Sequence, residues 1–247
     1  MNPFDLTGKK ILVTGATSGI GYATCLAIHK QGGTFIAIGR REDHLQKLIK
    51  ECGESNEILI VDLKDDKSIE LLVEQIPKID GVVHSAGIVS LAPVKFYTKK
   101  LMEDLRMTNF DSIVYLVNLL AKKKKLNKQS SIVLVSSIAG LFGMKGNGIY
   151  AASKGALIAI SKVWANELAL SQTRVNCVSP GMVKTEITNK SIEDLSLEVI
   201  QLDEKKYPLG YGEPEQVANP IVFLLSEASS WITGQNIVLD GGRTAVI

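Results

Sequence analysis

The stretch Ile11-Leu12-Val13-Thr14-Gly15-Ala16-Thr17-Ser18-Gly19-Ile20-Gly21 decides how the rest of the chain is read. Its apolar, β-branched start has the composition of a buried strand, and an amphipathic pattern beyond it reads as a helix to about Gln31. Between them lie the glycines. A glycine turn joining a strand to a helix lets backbone N–H groups approach a pyrophosphate, and the helix N-terminus favours the negative charge. A glycine motif alone is weak and is often only a turn. The order strand, turn, helix makes this one a candidate phosphate loop, with Gly15, Ala16, Thr17, Ser18, Gly19, Ile20 and Gly21 as its contacts.

Outward from that loop, apolar runs alternate with helical patterns. Further strands are expected at Thr34–Ile38, Glu57–Val61, Gly81–Val83, Ser131–Ser136, Arg174–Ser179 and Asn236–Asp240. Helices are expected from near Lys100 to about Lys125, from Tyr150 through Trp164 to Leu170, from Glu193 to Lys205 and from Pro214 to Ser226. The pattern predicts an α/β fold: one doubly wound Rossmann domain over residues 1–247, with a seven-stranded, mostly parallel sheet flanked by helices on both faces. At 247 residues and 45% hydrophobic, the chain can bury a core of that size. No repeat, low-complexity tract or linker divides it. The looser segment 186–212 reads as a substrate lid at the ligand edge.

Ligands of open α/β sheets bind at the carboxyl ends of strands, so the residues just past those ends carry the site. The second strand ends in Gly39-Arg40-Arg41, with no acid to grip a ribose diol. Arg40 is the candidate for an adenosine 2′-phosphate, and Arg41 is expected to face solvent. Asp62-Leu63 follows the third strand, where a carboxylate can accept a hydrogen bond from adenine. His84 ends the fourth and reads as a packed residue rather than a catalyst. Ser137 stands just past the fifth. Tyr150 and Lys154, in Tyr150-Ala151-Ala152-Ser153-Lys154, are four apart and share one helix face. A lysine ammonium beside a phenol favours the phenolate and lowers its pKa. With the Ser137 hydroxyl holding a substrate oxygen, the three make a proton-transfer site for a carbonyl or an alcohol. The plainer reading is a pair of surface neighbours at helical spacing.

Composition excludes several other classes. A net charge of +2 implies no strong attraction to nucleic acid or acidic lipid. Lys122–Lys125 reads as a basic helix end favoured by the dipole, with docking of an acidic partner as the minority reading. Cys25, Cys52 and Cys177 show no paired spacing, and His29, His44 and His84 form no zinc motif. No apolar run reaches membrane-spanning length, and the N-terminus lacks the basic-then-apolar design of a signal peptide. A cytoplasmic protein without metal is expected.

With these motifs in order over its whole length, the chain resembles the short-chain dehydrogenase/reductase family. The likeness is to the single-domain subgroup that includes 3-oxoacyl-(acyl carrier protein) reductases and many sugar and alcohol dehydrogenases. It rests on Thr14–Gly21, Asp62-Leu63, Ala86-Gly87, Asn109, Ser137, Tyr150 with Lys154, Pro180-Gly181 with Thr185, Trp231–Gln235 and Asp240-Gly241-Gly242. The resemblance implies that Tyr150 exchanges the proton and Ser137 orients the carbonyl oxygen. Lys154 would hold the nicotinamide ribose, and Asn109 would fix a water in a proton relay. The backbone of Ser85, with Ala86 and Gly87, would reach the cofactor ribose, while Val183 and Thr185 position the carboxamide. The implied cofactor is NADP, with NAD possible, and the substrate a small carbonyl or alcohol. A tetramer is expected, because the helices carrying Asn109 and Tyr150 are apolar on more faces than one sheet covers. Two departures stand out. The family's Asn-Asn-Ala-Gly reads His84-Ser85-Ala86-Gly87, and the Arg-Gly pair of many carrier-protein reductases is replaced by Ser171-Gln172-Thr173. A cofactor-sensing protein without turnover and a nucleotide-sugar epimerase or dehydratase are the competing classes. The first has no need of the full proton-transfer set, and the second usually adds a larger C-terminal domain.

Overall fold

Strands β1 (Lys10–Thr14), β2 (Thr34–Gly39), β3 (Glu57–Ile60), β4 (Ile79–His84), β5 (Leu126–Val135), β6 (Arg174–Pro180) and β7 (Asn236–Leu239) form one sheet. Its order is β3-β2-β1-β4-β5-β6-β7, and every pairing is parallel. The computed structural model describes residues 2–186, 188 and 197–245. The strand order reverses between β1 and β4, and the crevice above that reversal is where such sheets take ligands.

Each central strand alternates its side chains between two buried layers. Ile11, Val13, Phe35 and Ala37 face one layer, closed by α1 (Gly19–Lys30), α2 (Glu42–Cys52) and the last helix. Leu12, Ile36 and Ile38 face the other, closed by α3 (Asp66–Gln75), α5 (Ser112–Lys122) and α6 (Gly148–Glu167). Burial on both faces explains why these strands read as continuous apolar runs.

The single helix expected from Lys100 to Lys125 is three segments. α4 (Lys99–Arg106) passes through one π turn, Met107–Asp111, into α5. Arg106 and Asp111, five residues apart, form an ion pair across that turn. α5 stops at Lys122, because Lys124 takes the left-handed conformation (φ 51°) and turns the chain into β5. Lys125 does not cap its own helix. Its Nζ donates to the Glu74 and Ile76 carbonyls at the end of α3. β5 also starts earlier than its apolar run. Asn127 bonds the Asp80 carboxylate (2.8 Å) and Ser130 bonds Thr173 (2.9 Å), so polar side chains secure its first half. α6 ends at Glu167, and Leu170 sits fully exposed in a 3₁₀ turn.

In the segment expected to be a lid, α7 (Leu197–Glu204) falls inside the expected Glu193–Lys205 helix, and residues 193–196 lie outside the described residues. The chain before and after this segment is joined. Val183 and Gly212 form a parallel bridge, Lys184 N donates to Gly212 O (2.9 Å), and Gly212 N donates to Met182 O (2.9 Å). α8 (Pro214–Leu225) follows, opened by Pro214 and a capping box between Glu213 and Gln216.

Candidate active site

The glycine loop is shaped by what it must approach. Gly15 has φ +67°, and a Cβ there would stand 2.7 Å from the Ala86 backbone, so only glycine lets the β1 and β4 loops meet. Ala86 N donates to Thr14 Oγ1 (3.1 Å), which secures the same contact. Ser18 caps α1 with no side-chain bond, and no acid stands in its first turn. The leading N–H groups of α1 thus face the crevice beside the carboxyl ends of β1 and β4. That cradle fits a dinucleotide pyrophosphate. Across it, the Thr185 methyl lies against Gly19, where a Cβ would be 3.0 Å away, so the β6 loop closes over the phosphate loop.

At the adenosine end, Gly39 makes room for Thr17, whose methyl would be 2.5 Å from any Cβ at position 39. A threonine from the phosphate loop occupies the place where a strand-end carboxylate would project. Arg40 is exposed at the end of β2. Arg41 is not turned to solvent as expected: its Nη1 pairs with Glu186 (2.7 Å), and its Nη2 donates to Thr17 O (3.3 Å) and Oγ1 (3.2 Å). Two anchors are available to it, and charge-assisted bonds outcompete hydration there. Asp62 is exposed, with Oδ1 accepting from Lys64 N (3.0 Å), and Leu63 packs at the core edge.

At the other end of the crevice, Ser137, Tyr150 and Lys154 converge. Ser137 caps a 3₁₀ turn by accepting from Ala139 N (3.1 Å), and its hydroxyl is close enough to the Tyr150 phenol to act on its pKa. Burial pushes the Tyr150 pKa up, and the Ser137 hydroxyl opposes the rise. The expected lowering by Lys154 is not found. Lys154 Nζ lies 5.9 Å from the ring centroid and donates to Val135 O (2.8 Å), so its charge is directed at a carbonyl instead of the phenol oxygen. Burial drives Lys154 itself down to about 8.

Asn109 sits in the π turn, fully buried. The extra residue of that turn rotates it inward, a local geometry common at functional sites. Its Oδ1 accepts from Ile88 N (2.8 Å), and its Nδ2 donates to Ile88 O (3.0 Å) and Ser153 Oγ (3.0 Å). Gly87 adjoins both Asn109 Oδ1 and Lys154 Nζ. His84 is more than packing. Its Nδ1 meets Thr14 Oγ1 (3.0 Å) and its Nε2 faces Asn109 O (3.4 Å). Because the Asn109 carbonyl can only accept, Nε2 carries the ring proton, and the bare Nδ1 accepts the Thr14 hydroxyl proton. Buried side-chain oxygens of Thr108 and Asn147, on either side of the site, have no partner among the described residues.

Sequence reasoning did not find the His84 bridge, the Arg41–Glu186 pair or Tyr97, whose hydroxyl fills the space over Gly148 at the start of α6. None has a local signal, since each joins residues distant in the chain. Among the described residues no cluster of His, Cys, Asp and Glu is able to hold a metal.

Relatives agree with this geometry. A family model described as enoyl-(acyl carrier protein) reductase matches residues 15–244. The chain is 36% identical over 251 residues to a 3-oxoacyl-(acyl-carrier-protein) reductase of Rickettsia felis, covering 98% of this chain and 99% of the relative. A solved structure described as a short chain dehydrogenase/reductase family protein superposes with a TM-score of 0.89 at 30% identity, covering 98% of this chain and 100% of that one. Another, described as a NAD(P) dependent gluconate 5-dehydrogenase from Beutenbergia cavernae with bound NADP, also scores 0.89, at 29% identity over 99% and 100% of the two chains.

Proposed function

Since this chain belongs to the short-chain dehydrogenase/reductase family, the NAD(P)-dependent oxidoreductases that work between carbonyls and alcohols, we propose that it is an NADPH-dependent reductase of a ketone or 3-oxoacyl thioester. The observation that carries this reading is the convergence of the Ser137 hydroxyl and the Tyr150 phenol beside a buried Lys154, at the carboxyl end of β5. When bound, the nicotinamide supplies the hydride for reduction and accepts it for oxidation. Ser137 holds the substrate oxygen against the Tyr150 phenol. Tyr150, kept protonated at neutral pH by burial, gives that oxygen its proton. Lys154, with a pKa near 8, is mainly cationic at neutral pH and stabilises the phenolate that forms. It would also hold the nicotinamide ribose. Asn109, locked through Ile88 and Ser153, would fix the water that returns a proton to the site.

The cofactor would lie from Arg40 to Tyr150. Gly15 to Gly21 would take the pyrophosphate, Asp62 and Leu63 the adenine, Ser85 to Gly87 the ribose, and Val183 with Thr185 the carboxamide. Preference for NADP is supported by the bare Gly39 and by Arg40, exposed and ready to meet a 2′-phosphate. The protein would act as a cytoplasmic homotetramer. Among the described residues, no helix is long and apolar enough to cross a membrane. A sugar or sugar-acid dehydrogenase is the second reading, favoured by the likeness to the gluconate 5-dehydrogenase structure.

The test is NADPH oxidation with 3-oxoacyl thioesters, sugars and small ketones, followed by the kcat/KM ratio for NADPH over NADH. Turnover is expected, with a ratio of about ten or more, from one charge-assisted contact of roughly 1.5–3 kcal/mol. Arg40→Ala should lower that ratio. Cofactor binding without turnover across the panel would point instead to a sensing protein. An NADH preference would remove Arg40 from the site.

A further inference from the structure

Beyond β7 the chain turns through Asp240-Gly241-Gly242-Arg243 across the ends of β5 and β6. The Asp240 carboxylate is used entirely in that turn: Oδ1 accepts from Gly242 N (3.0 Å) and Oδ2 from Thr244 N (2.7 Å). The turn sets the Arg243 guanidinium over two aromatic rings, 5.9 Å from the centroid of Phe142 and 5.9 Å from that of Tyr207. Both rings belong to the reacting end of the crevice. Phe142 is in the loop that begins at Ser137, tied back by its N–H to Ile138 O (3.2 Å). Tyr207 is buried against Gly181, just past β6, and bonds the Met182 backbone. Arg243 therefore stands on the substrate side, opposite the adenosine end that Arg40 and Arg41 mark.

Among the described residues nothing consumes its charge. Asp203, the other acid beside Tyr207, is held by the Tyr211 hydroxyl (2.9 Å) and Lys206 (3.0 Å). Among the described residues no carboxylate pairs with Arg243 and no side-chain hydrogen bond engages it. It is half-buried, so water solvates only part of it. Rings hold a guanidinium by cation–π attraction while leaving its N–H donors available for a planar oxyanion.

We propose that Arg243 is the anion-recognition residue of the substrate site, so that the substrate carries a carboxylate or phosphate beyond its reacting carbonyl. This rests on the reductase reading above and narrows it from ketones in general to acidic ones. Matched pairs separate the sources of charge: levulinate and 5-oxohexanoate against their methyl esters, and dihydroxyacetone phosphate against dihydroxyacetone. With NADPH, at least one charged member should exceed its neutral mate tenfold or more in kcat/KM. Arg243→Met should bring that ratio close to one through KM, and Arg243→Lys should restore part of it. Preference for the carboxylate pair or for the phosphate pair names the group. Calorimetric titration of the same compounds with NADP, which cannot reduce them, reads binding without turnover. Charge-dependent binding that is lost in Arg243→Met, without reduction, would keep the anion site and overturn the reductase reading. Reduction or binding of acids and neutral mates alike, unchanged in both variants, would overturn the anion site and leave the reductase reading standing.

Discussion

Tyr150 is a phenol that its surroundings keep neutral, and its value to the reaction lies in the proton it can give. Tyr150→Phe removes that proton while sparing the ring, so it should retain cofactor affinity and lose at least 10²-fold in kcat. Dye-free fluorescence titration with NADPH beside steady-state kinetics would check the split. Near-normal turnover in the variant would defeat the mechanism. His84 makes a second prediction, on stability. Burial first, and then the Lys154 charge, hold its pKa down at about 3 against an ordinary 6.5. Below pH 6.5 the unfolded chain takes up a proton that the native site refuses, so this contribution to stability falls as pH drops toward 3. At pH 5 the loss is about 2 kcal/mol. His84→Asn should remove this part of the acid slope, read from urea midpoints at pH 5 and pH 7, and an identical slope in both proteins would refute it. The carriers of chemistry, Ser137, Tyr150 and Lys154, were legible because their types and spacing recur with their task. The pKa of Tyr150 was not, because spacing tells which side chains are neighbours but not that Lys154 turns to Val135 O.

At the scale of elements, periodicity located every strand and most helices. It passed over α2 and α3, and its other errors fall where polar groups decide. No hydrophobic pattern announces the π turn at Asn109, whose extra residue is answered by bonds to Ile88 from a separate loop. The first half of β5 was missed because Asn127 and Ser130 are hydrogen-bonded instead of apolar. The terminus of α8 is a similar case. Arg174, buried at the head of β6, donates to Leu224 O (2.7 Å), Ser229 Oγ (2.7 Å) and Ser226 O (3.1 Å). A cation at a helix C-terminus is favoured by the dipole and satisfies carbonyls that lack partners within the helix. Arg174→Met should cost about 2 kcal/mol in unfolding free energy while kcat stays near the parent value, since those bonds lie far from Tyr150. Denaturant midpoints would register it; an unshifted midpoint would mean that the buried charge costs as much as its bonds return.

On the scale of the whole molecule, the sheet covers only part of what its helices offer. Val163 is 52% exposed on α6, Leu170 is fully exposed beyond it, and Trp231 is 97% exposed. Val114, Leu119, Ile158 and Ile160 are only half-covered on α5 and α6. Apolar surface of this kind is what an interface between copies would cover, as in the homotetramer proposed above. Sedimentation should find a tetramer at micromolar concentration, and Val163→Glu should shift it toward smaller species; a parent that sediments as a monomer would exclude this assembly. The doubly wound order was legible in the alternation of runs, whereas the bridge joining Val183 to Gly212 was not, since neither residue carries a signal of pairing. Their bridge has a consequence for change over evolution. It closes the chain between them at a fixed knot, and closure entropy rises only slowly with the length enclosed. Length can then be added between Val183 and Gly212, apart from Tyr207 and Tyr211, at little entropic cost to the grip of Val183 and Thr185. A descendant of this protein could acquire a new diet by rewriting one stretch of chain, its engine left untouched.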